Sequence, residues 1–306
     1  MPAGLWKRAE RVANNLGAGD DRGRGGVRSV GWRRDVHRNL RSFVLPRPYR
    51  MRSPYLLVTF SAAAVLMLSA GLARATGPAD DLIKKGDVFY ARLLPAEALK
   101  FYLPAETLEP NNASLLVRIS RQYRHLMSDA PNRTEKLRLG GIAVGYSRRA
   151  VALAPDDSEA QLSVAISSGK VLPLQGNSEG VENSRVIKAA AEKAIKLDPR
   201  SDLAWHVLGR WYLNMADVGA VKRALAQVVY GKLPLATNED AALCFEKAIA
   251  LNPNRLMHFV ELGRTYAHMG RAADARKFIT KGLGMAETEK DDPETKRTGR
   301  EVLAKL

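Results

Sequence analysis

The fold of this chain is decided by the stretch Trp205-His206-Val207-Leu208-Gly209-Arg210-Trp211-Tyr212 and by the residues that follow it. Further along, small residues and one aromatic residue recur at helical spacing before a proline, as Ala241, Phe245, Ala248 and Pro253. A glycine allows the backbones of two helices to approach closely, and large side chains then fill the seam between them. The stretch therefore predicts a pair of antiparallel helices that meet at Gly209. Four side chains are expected to fill the seam: Trp205, Leu208, Tyr212 and Phe245.

This spacing resembles the tetratricopeptide repeat, which opens W-x2-L-G-x2-Y and closes on an alanine, an aromatic residue and a proline. Weaker copies end at Pro110, Pro155 and Pro199, and a fifth copy begins near Phe259. The resemblance implies an all-α, tetratricopeptide-repeat-like, right-handed helical solenoid over residues 76–306. We expect about five helix pairs with elongated second helices and a C-terminal capping helix.

The repeats are longer than usual. Successive prolines at positions 110, 155, 199 and 253 are 45, 44 and 54 residues apart, against about 34 in a plain repeat. In the second repeat we expect a lengthened second helix capped by Thr134, and in the third an inserted loop near Leu174–Gly180. In the fourth, apolar residues at helical spacing between 218 and 229 predict an extra helix. Asp291-Asp292-Pro293 predicts the start of the closing helix.

The fourth repeat also carries a narrower resemblance. Its Gly-Arg-Trp opening is followed by an insertion and then by Tyr230-Gly231-Lys232-Leu233-Pro234-Leu235-Ala236-Thr237. These motifs are similar to those of the regulator of microtubule dynamics family, and the likeness extends over roughly residues 80–306. The resemblance implies a helical binding domain; the microtubule binding known for animal members is not carried over by these residues.

Charge and the N-terminus divide the chain into three parts. The chain has 48 Lys and Arg against 32 Asp and Glu, and the excess is concentrated before residue 76, so it is no signature of nucleic-acid binding. Residues 1–50 are predicted to be a basic, disordered segment or the product of a start codon placed too early. Residues 51–75 resemble a secretory signal peptide, with Arg52 before an apolar run at 55–72 and Ala73-Arg74-Ala75 as the cleavage site.

The alternative for residues 51–75 is an uncleaved membrane anchor, in which case 55–72 would be the only membrane contact. Either interpretation places residues 76–306 outside the cytoplasm. We therefore expect an exported bacterial relative, periplasmic or secreted, or else anchored with its C-terminal domain outside. Cys244 is the only cysteine, so no internal disulfide is possible, and a buried apolar role is expected for it.

Catalysis has little support in the sequence. The five histidines show no metal-ligand spacing: His37, His125, His206, His258 and His268. No serine, cysteine or lysine lies in a nucleophile motif, and no glycine loop matches a phosphate site. We therefore predict no enzymatic activity, no catalytic residue, no metal and no cofactor.

One polar pattern recurs at the same place in three repeats. Small-Arg-x-Tyr occurs around Arg121, Arg210 and Arg264, and Arg118 and Arg124 lie three residues to either side of Arg121. The flanking small residue and tyrosine are packing positions, whereas the arginine is at a position that faces the groove in such repeats. Guanidinium groups suit carboxylates and phosphates. Each arginine could instead pair with an acidic neighbour or a helix-end carbonyl.

The sequence therefore predicts a binding scaffold whose groove takes an acidic peptide or protein through an arginine stripe. The family resemblance supplies an alternative, because some eukaryotic relatives that tether organelle membranes are thought to hold a phospholipid in the hollow. No nucleic-acid partner is expected.

Overall fold

A computed structural model describes residues 77–218 and 236–306, the side chains of residues 177 and 178 excepted. These ranges contain eleven α-helices and no strand. The helices are α1 (Pro78–Ala91), α2 (Pro95–Leu108), α3 (Ala113–Asp129), α4 (Arg133–Leu153), α5 (Ser158–Val171), α6 (Asn177–Leu197), α7 (Asp202–Ala216), α8 (Asn238–Leu251), α9 (Leu256–His268), α10 (Ala272–Leu283) and α11 (Asp292–Leu303).

The helices stack as five pairs. Each odd-numbered helix from α1 to α9 packs against the next helix in the chain, and α11 packs against α9 and α10. The first helices α3, α5, α7 and α9 also contact one another from pair to pair, whereas second helices of neighbouring pairs in the described ranges lack comparable packing. The first helices therefore form the tighter, inner side of a curved stack. This side is called the inner face below. The arrangement confirms the predicted all-α, tetratricopeptide-repeat-like solenoid with a closing helix.

The close approach predicted at Gly209 is present. A Cβ atom added at this position would lie 2.9 Å from the ring of Phe245, which is fully buried. Equivalent contacts join Gly86 to Tyr102 in the first pair and Gly263 to Ile279 in the fifth. In each case the missing side chain of a first helix makes room for a large side chain of the second.

The other residues of the repeat signature differ in how deeply they lie. Leu208 and Ala248 are buried, and Pro253 is in an exposed turn after α8. Trp205 and Tyr212 are only partly buried and pack at the edge of the core, where the indole of Trp205 donates to the Pro199 carbonyl at 3.0 Å. The expectation that these two side chains fill the seam is therefore wrong in degree: Phe245 fills it, and Trp205 and Tyr212 flank it.

Among the second helices that the structure describes, two are elongated, so the prediction of elongated second helices holds for the second and third pairs alone. The helices α4 and α6 have 21 residues each, whereas α2, α8 and α10 have 14, 14 and 12. The cap of α4 is Asn132, which accepts from the Glu135 amide at 2.9 Å, so the prediction of Thr134 is wrong: Thr134 already lies in the first turn. The predicted loop near Leu174–Gly180 is also mostly helical, because α6 begins at Asn177 after one 3₁₀ turn at Leu172–Leu174.

Several predictions fall outside the described residues. These are the disordered segment at 1–50, the signal or anchor at 51–75 and most of the extra helix between 218 and 229. Among the residues that the structure does describe, none of the helices is long and apolar enough to cross a membrane.

Candidate functional site

The N-terminal part of the inner face holds a cleft of about 500 Å³ between α1, α3 and the start of α5. Its lining is mainly polar and charged: Asp87, Tyr90, Ser114, Val117, Arg118, Arg121, Gln122, Asp157 and Glu159. The structure thus brings two of the predicted arginines, Arg118 and Arg121, into one cleft.

Both arginines of the cleft have partners within the protein. Arg118 donates to Asp87 at 3.1 Å, and this carboxylate also accepts from the Tyr102 hydroxyl. Arg121 donates to the Tyr90 hydroxyl at 2.9 Å, and its guanidinium carbon lies 5.2 Å from the centre of that ring. Its contact with Glu159 is longer, at 3.4 Å. Arg121 is therefore positioned by an aromatic ring, with its charge only weakly neutralised.

Gln122 adds an unpaired acceptor beside these arginines. Its side chain is 1% exposed, and its Oε1 atom has no hydrogen-bond partner among the described residues. A buried carbonyl oxygen without a hydrogen-bond partner is costly to the fold, and this atom is enclosed by protein rather than open to the cleft.

Arg124 does not line the groove as the sequence led us to expect. It is buried, and one terminal nitrogen lies 3.0–3.2 Å from the hydroxyls of Ser120, Ser163 and Ser167, which share its two N–H donors. Within the described ranges no carboxylate lies within ion-pair distance of it. Burial, and then the nearby charge of Arg121, lower the pKa of Arg124 to about 9, so it remains charged at neutral pH. This fixed positive charge lies directly behind the inner face.

The third repeat contributes a cation that the sequence analysis missed. Lys170 on α5 lies between the arginines of α3 and those of the later repeats, and it pairs with Asp291 at 2.8 Å. Burial lowers the pKa of Lys170, although the Asp291 charge opposes this shift. The small-Arg-x-Tyr pattern is absent from the third repeat, so the motif could not point to a lysine in the same role.

The two remaining predicted arginines meet at one carboxylate. Arg210 on α7 lies 3.1 Å from Glu261 on α9, and Arg264 lies 2.8 Å from the same group. Glu261 is buried, whereas the Arg210 side chain is 48% exposed. The Nε atom of Arg264 is buried without a partner among the described residues. One carboxylate thus serves two guanidinium groups, which leaves positive charge and donor capacity unsatisfied.

Together these residues form what is called the basic strip below. It consists of five cations on the inner side of the first helices, Arg118, Arg121, Lys170, Arg210 and Arg264, with the buried Arg124 behind them. The carboxylates that pair with them are four: Asp87, Glu159, Asp291 and Glu261. Asp157, which also lines the cleft, makes a fifth carboxylate, so the excess of positive charge is the buried guanidinium of Arg124.

A buried histidine pair lies next to the strip and was not foreseen. The Nδ1 atoms of His206 and His258 are 3.0 Å apart, and His258 Nε2 is 2.9 Å from Asp202. Burial lowers the pKa of both histidines, in His206 reinforced by His258 and in His258 opposed by Asp202. The two residues are 52 apart in the sequence and belong to different repeats, so no local spacing reveals the contact.

This network offers no recognisable catalytic arrangement. In the described part of the chain, no group of three or more His, Cys, Asp or Glu residues could hold a metal ion. Cys244 is buried as predicted, and burial raises the pKa of its thiol to about 12, so it is a poor nucleophile.

Comparison with known proteins agrees with this helical architecture. The family model described as "Regulator of microtubule dynamics protein 1-3" matches residues 82–306. The chain belongs to this family. It is 26% identical over 244 residues to mouse regulator of microtubule dynamics protein 1, covering 79% of each chain. The bovine protein 1 is 27% identical over 296 residues, which cover 95% of this chain and 87% of that protein.

A solved structure supports the fold independently of the family. A thermophilic TPR protein of Thermus thermophilus matches with a TM-score of 0.54 at 16% identity, covering 74% of this chain and 99% of that one. This likeness shows the fold alone. A tetratricopeptide-like fold is typical of protein-binding scaffolds, and such folds are typically non-catalytic.

Proposed function

We propose that the chain is a non-enzymatic binding scaffold whose inner face takes an acidic peptide, or an acidic segment of a partner protein, along the basic strip. The observation that carries this proposal is the sharing of Glu261 by Arg210 and Arg264. A carboxylate shared by two guanidinium groups also occurs in structural networks, so the proposal depends on the exposure of Arg210, whose side chain is 48% exposed. Here a ligand carboxylate would supply the missing acceptor, at a point where Arg210 is accessible to it.

The cleft at the other end of the strip supplies two arginines, Arg118 and Arg121, but its lining also holds Asp87, Asp157 and Glu159, so it offers donors rather than an excess of positive charge. A peptide can accept from Arg118 and Arg121 through its carboxylates. Among the nine lining residues only Val117 is aliphatic. This lining favours a peptide over the acyl chains of the alternative ligand, an anionic phospholipid. Mass spectrometry of lipid extracted from the native protein separates the two, since a stoichiometric phospholipid would favour the alternative.

We expect replacement of Arg210 and Arg264 together by Gln to weaken binding of a fluorescein-labelled hexaglutamate peptide by well over tenfold. Each charge-assisted hydrogen bond contributes about 1.5–3 kcal/mol, and 1.4 kcal/mol is about tenfold in affinity. Fluorescence anisotropy with the full chain measures the change. Binding should also weaken as salt rises, because part of the strip is open to solvent.

The matched control replaces Arg138 and Arg297 by Gln. Both are exposed, lie on α4 and α11 and pair with glutamates of their own helices, so the same charge is lost away from the inner face. Equal weakening in the control would contradict a site on the strip. If the Arg210 and Arg264 variant unfolds, Arg121→Gln tests the other end of the strip, and unchanged affinity there would contradict the proposal.

We further propose that residues 76–306 act outside the cytoplasm. The support is the sequence before residue 76, where Arg52, the apolar run and Ala73-Arg74-Ala75 have the order of an export signal. We expect N-terminal sequencing of the native protein to find Thr76 as the first residue. A native chain in the mature pool that begins before residue 51 would contradict both cleavage and a start at Met51.

A further inference from the structure

The segment that precedes α11 reaches across the inner face to helices far away in the sequence. Asp291 accepts hydrogen bonds from Ser128 of α3 and Lys170 of α5, both at 2.8 Å. Lys290 beside it pairs with Asp129 at 2.9 Å. In a solenoid, contacts normally join neighbouring repeats, whereas these join the end of the fifth pair to the second and third.

Hydrogen bonds within the segment fix its turn and leave the Asp291 side chain free to reach the inner face. Asp292 is 1% exposed, and its carboxylate accepts from the backbone amides of Thr288 and Glu289 at 2.7 Å. Asp291 stands at the cap position of α11, but its side chain makes no capping bond to that helix. One aspartate therefore folds the turn, which leaves the other to reach the inner face.

The two cations beside Asp291, Lys170 and Arg124, favour an anion at this position. Lys170 and Ser128 donate to Asp291, and Ser128 also accepts from Lys170 at 2.6 Å. Arg124, buried nearby, makes only neutral contacts through its bonded nitrogen. Burial alone would raise the pKa of Asp291, but Lys170 and Ser128 hold it below its ordinary value, so the group is ionised at neutral pH. If Asp291 left, two desolvated cations would lose their nearest anion.

We infer that Asp291 is an internal ligand of the basic strip, and that an acidic partner binds by displacing its carboxylate from Ser128 and Lys170. This inference rests on the proposed function and names one subsite of it together with its regulation. Of the four carboxylates at 287–292, Asp291 is the one that contacts the strip, since Asp292 bonds within its own turn and Glu287 and Glu289 pair with Lys296 and Arg255. The Asp291 carboxylate has the chemistry that the strip is proposed to recognise.

The ion pair between Asp291 and Lys170 can be exchanged for one between Lys170 and a partner's carboxylate. The side chain of Asp291 is 42% exposed and that of Lys170 is 25% exposed, so an incoming carboxylate can reach them. Because the cations behind it are desolvated, Asp291 leaves as an incoming carboxylate takes its place, and this exchange keeps Lys170 paired. An acidic partner with several carboxylates would exchange this contact and gain those along the rest of the strip.

The test measures binding of the labelled hexaglutamate peptide to the full chain and to single variants. We expect Asp291→Asn to tighten binding at least threefold, because the internal competitor is removed and the open state becomes more populated. Lys170→Gln should weaken binding at least threefold. The double variant should lose the gain of Asp291→Asn, since the subsite itself is then missing. Circular dichroism of each variant checks that the fold is retained.

Glu301→Gln is the matched control, because it removes one negative charge from the exposed surface of α11, where Glu301 pairs with Arg297. It should leave affinity unchanged. Equal tightening by Glu301→Gln and Asp291→Asn would reduce the effect to net charge and overturn the inference. Equal affinity of the wild type and Asp291→Asn would overturn the inference while the proposed function stands. If neither the wild type nor Asp291→Asn binds the peptide, the proposed function is overturned and the inference with it.

Discussion

Replacing Phe245 by Ala should cost about 3–5 kcal/mol of unfolding free energy, the range for a fully buried aromatic side chain. Phe245 has no exposed surface and packs against Gly209, which leaves no side chain to collapse into the cavity. The chain has one cysteine and therefore no internal disulfide, and a loss of this size is a large part of a typical domain's stability. Urea unfolding followed by circular dichroism measures the change.

Trp205→Ala provides the comparison for this prediction. Trp205 is the larger side chain but is only partly buried at the edge of the core, so its loss should cost less than half as much. Equal losses, or a larger loss for Trp205, would contradict the packing described for the fourth pair.

Acidification from pH 7 to pH 5 should also destabilise the domain strongly. Burial, and then Arg124, lower the pKa of His125 to about 3, and burial lowers that of His206 well below its ordinary value. In the unfolded chain a histidine has a pKa of about 6.5. Below that pH the unfolded state takes up protons that the folded state does not, so stability falls as the pH falls. Each histidine that stays neutral costs about 2 kcal/mol over this interval.

Urea unfolding at a series of pH values checks the sign and the size. The carboxylates of low pKa, Asp202 and Asp291, respond at lower pH, because their ordinary value is 3.8. His125→Gln should remove about 2 kcal/mol of the pH-dependent loss, because glutamine takes up no proton in the unfolded chain. The substitution breaks no hydrogen bond at Nδ1, which has no partner among the described residues. A stability that is flat between pH 7 and pH 5 would contradict the burial of these histidines.

The helix pairs could be predicted because they depend on local spacing. A glycine, an aromatic residue and a proline at fixed intervals determine how two adjacent helices meet, so Gly209 and Phe245 were placed correctly. The depth of Trp205 was not predictable, because it depends on how the neighbouring pair covers the indole. Helix starts were also misplaced where two capping residues compete, as with Asn132 and Thr134.

The candidate site was only partly predictable for the same physical reason. The recurring motif identified Arg121, Arg210 and Arg264, but the sharing of Glu261 depends on contact between neighbouring repeats. Lys170 follows no motif, and its partner Asp291 is 121 residues away. Contacts that close a superhelix over such distances leave no periodic signal in the sequence.

The most direct test of the binding surface is to locate a bound acidic peptide by photo-crosslinking. A hexaglutamate peptide with a benzophenone group at its N-terminus would be irradiated with the full chain and the attachment sites mapped by mass spectrometry. We predict attachment on the first helices α3, α5, α7 and α9, close to Arg121, Lys170, Arg210 or Arg264, and its suppression by excess unlabelled peptide. Attachment confined to the second helices α4, α6 and α8, or insensitive to that competition, would contradict an acidic-peptide site on the inner face.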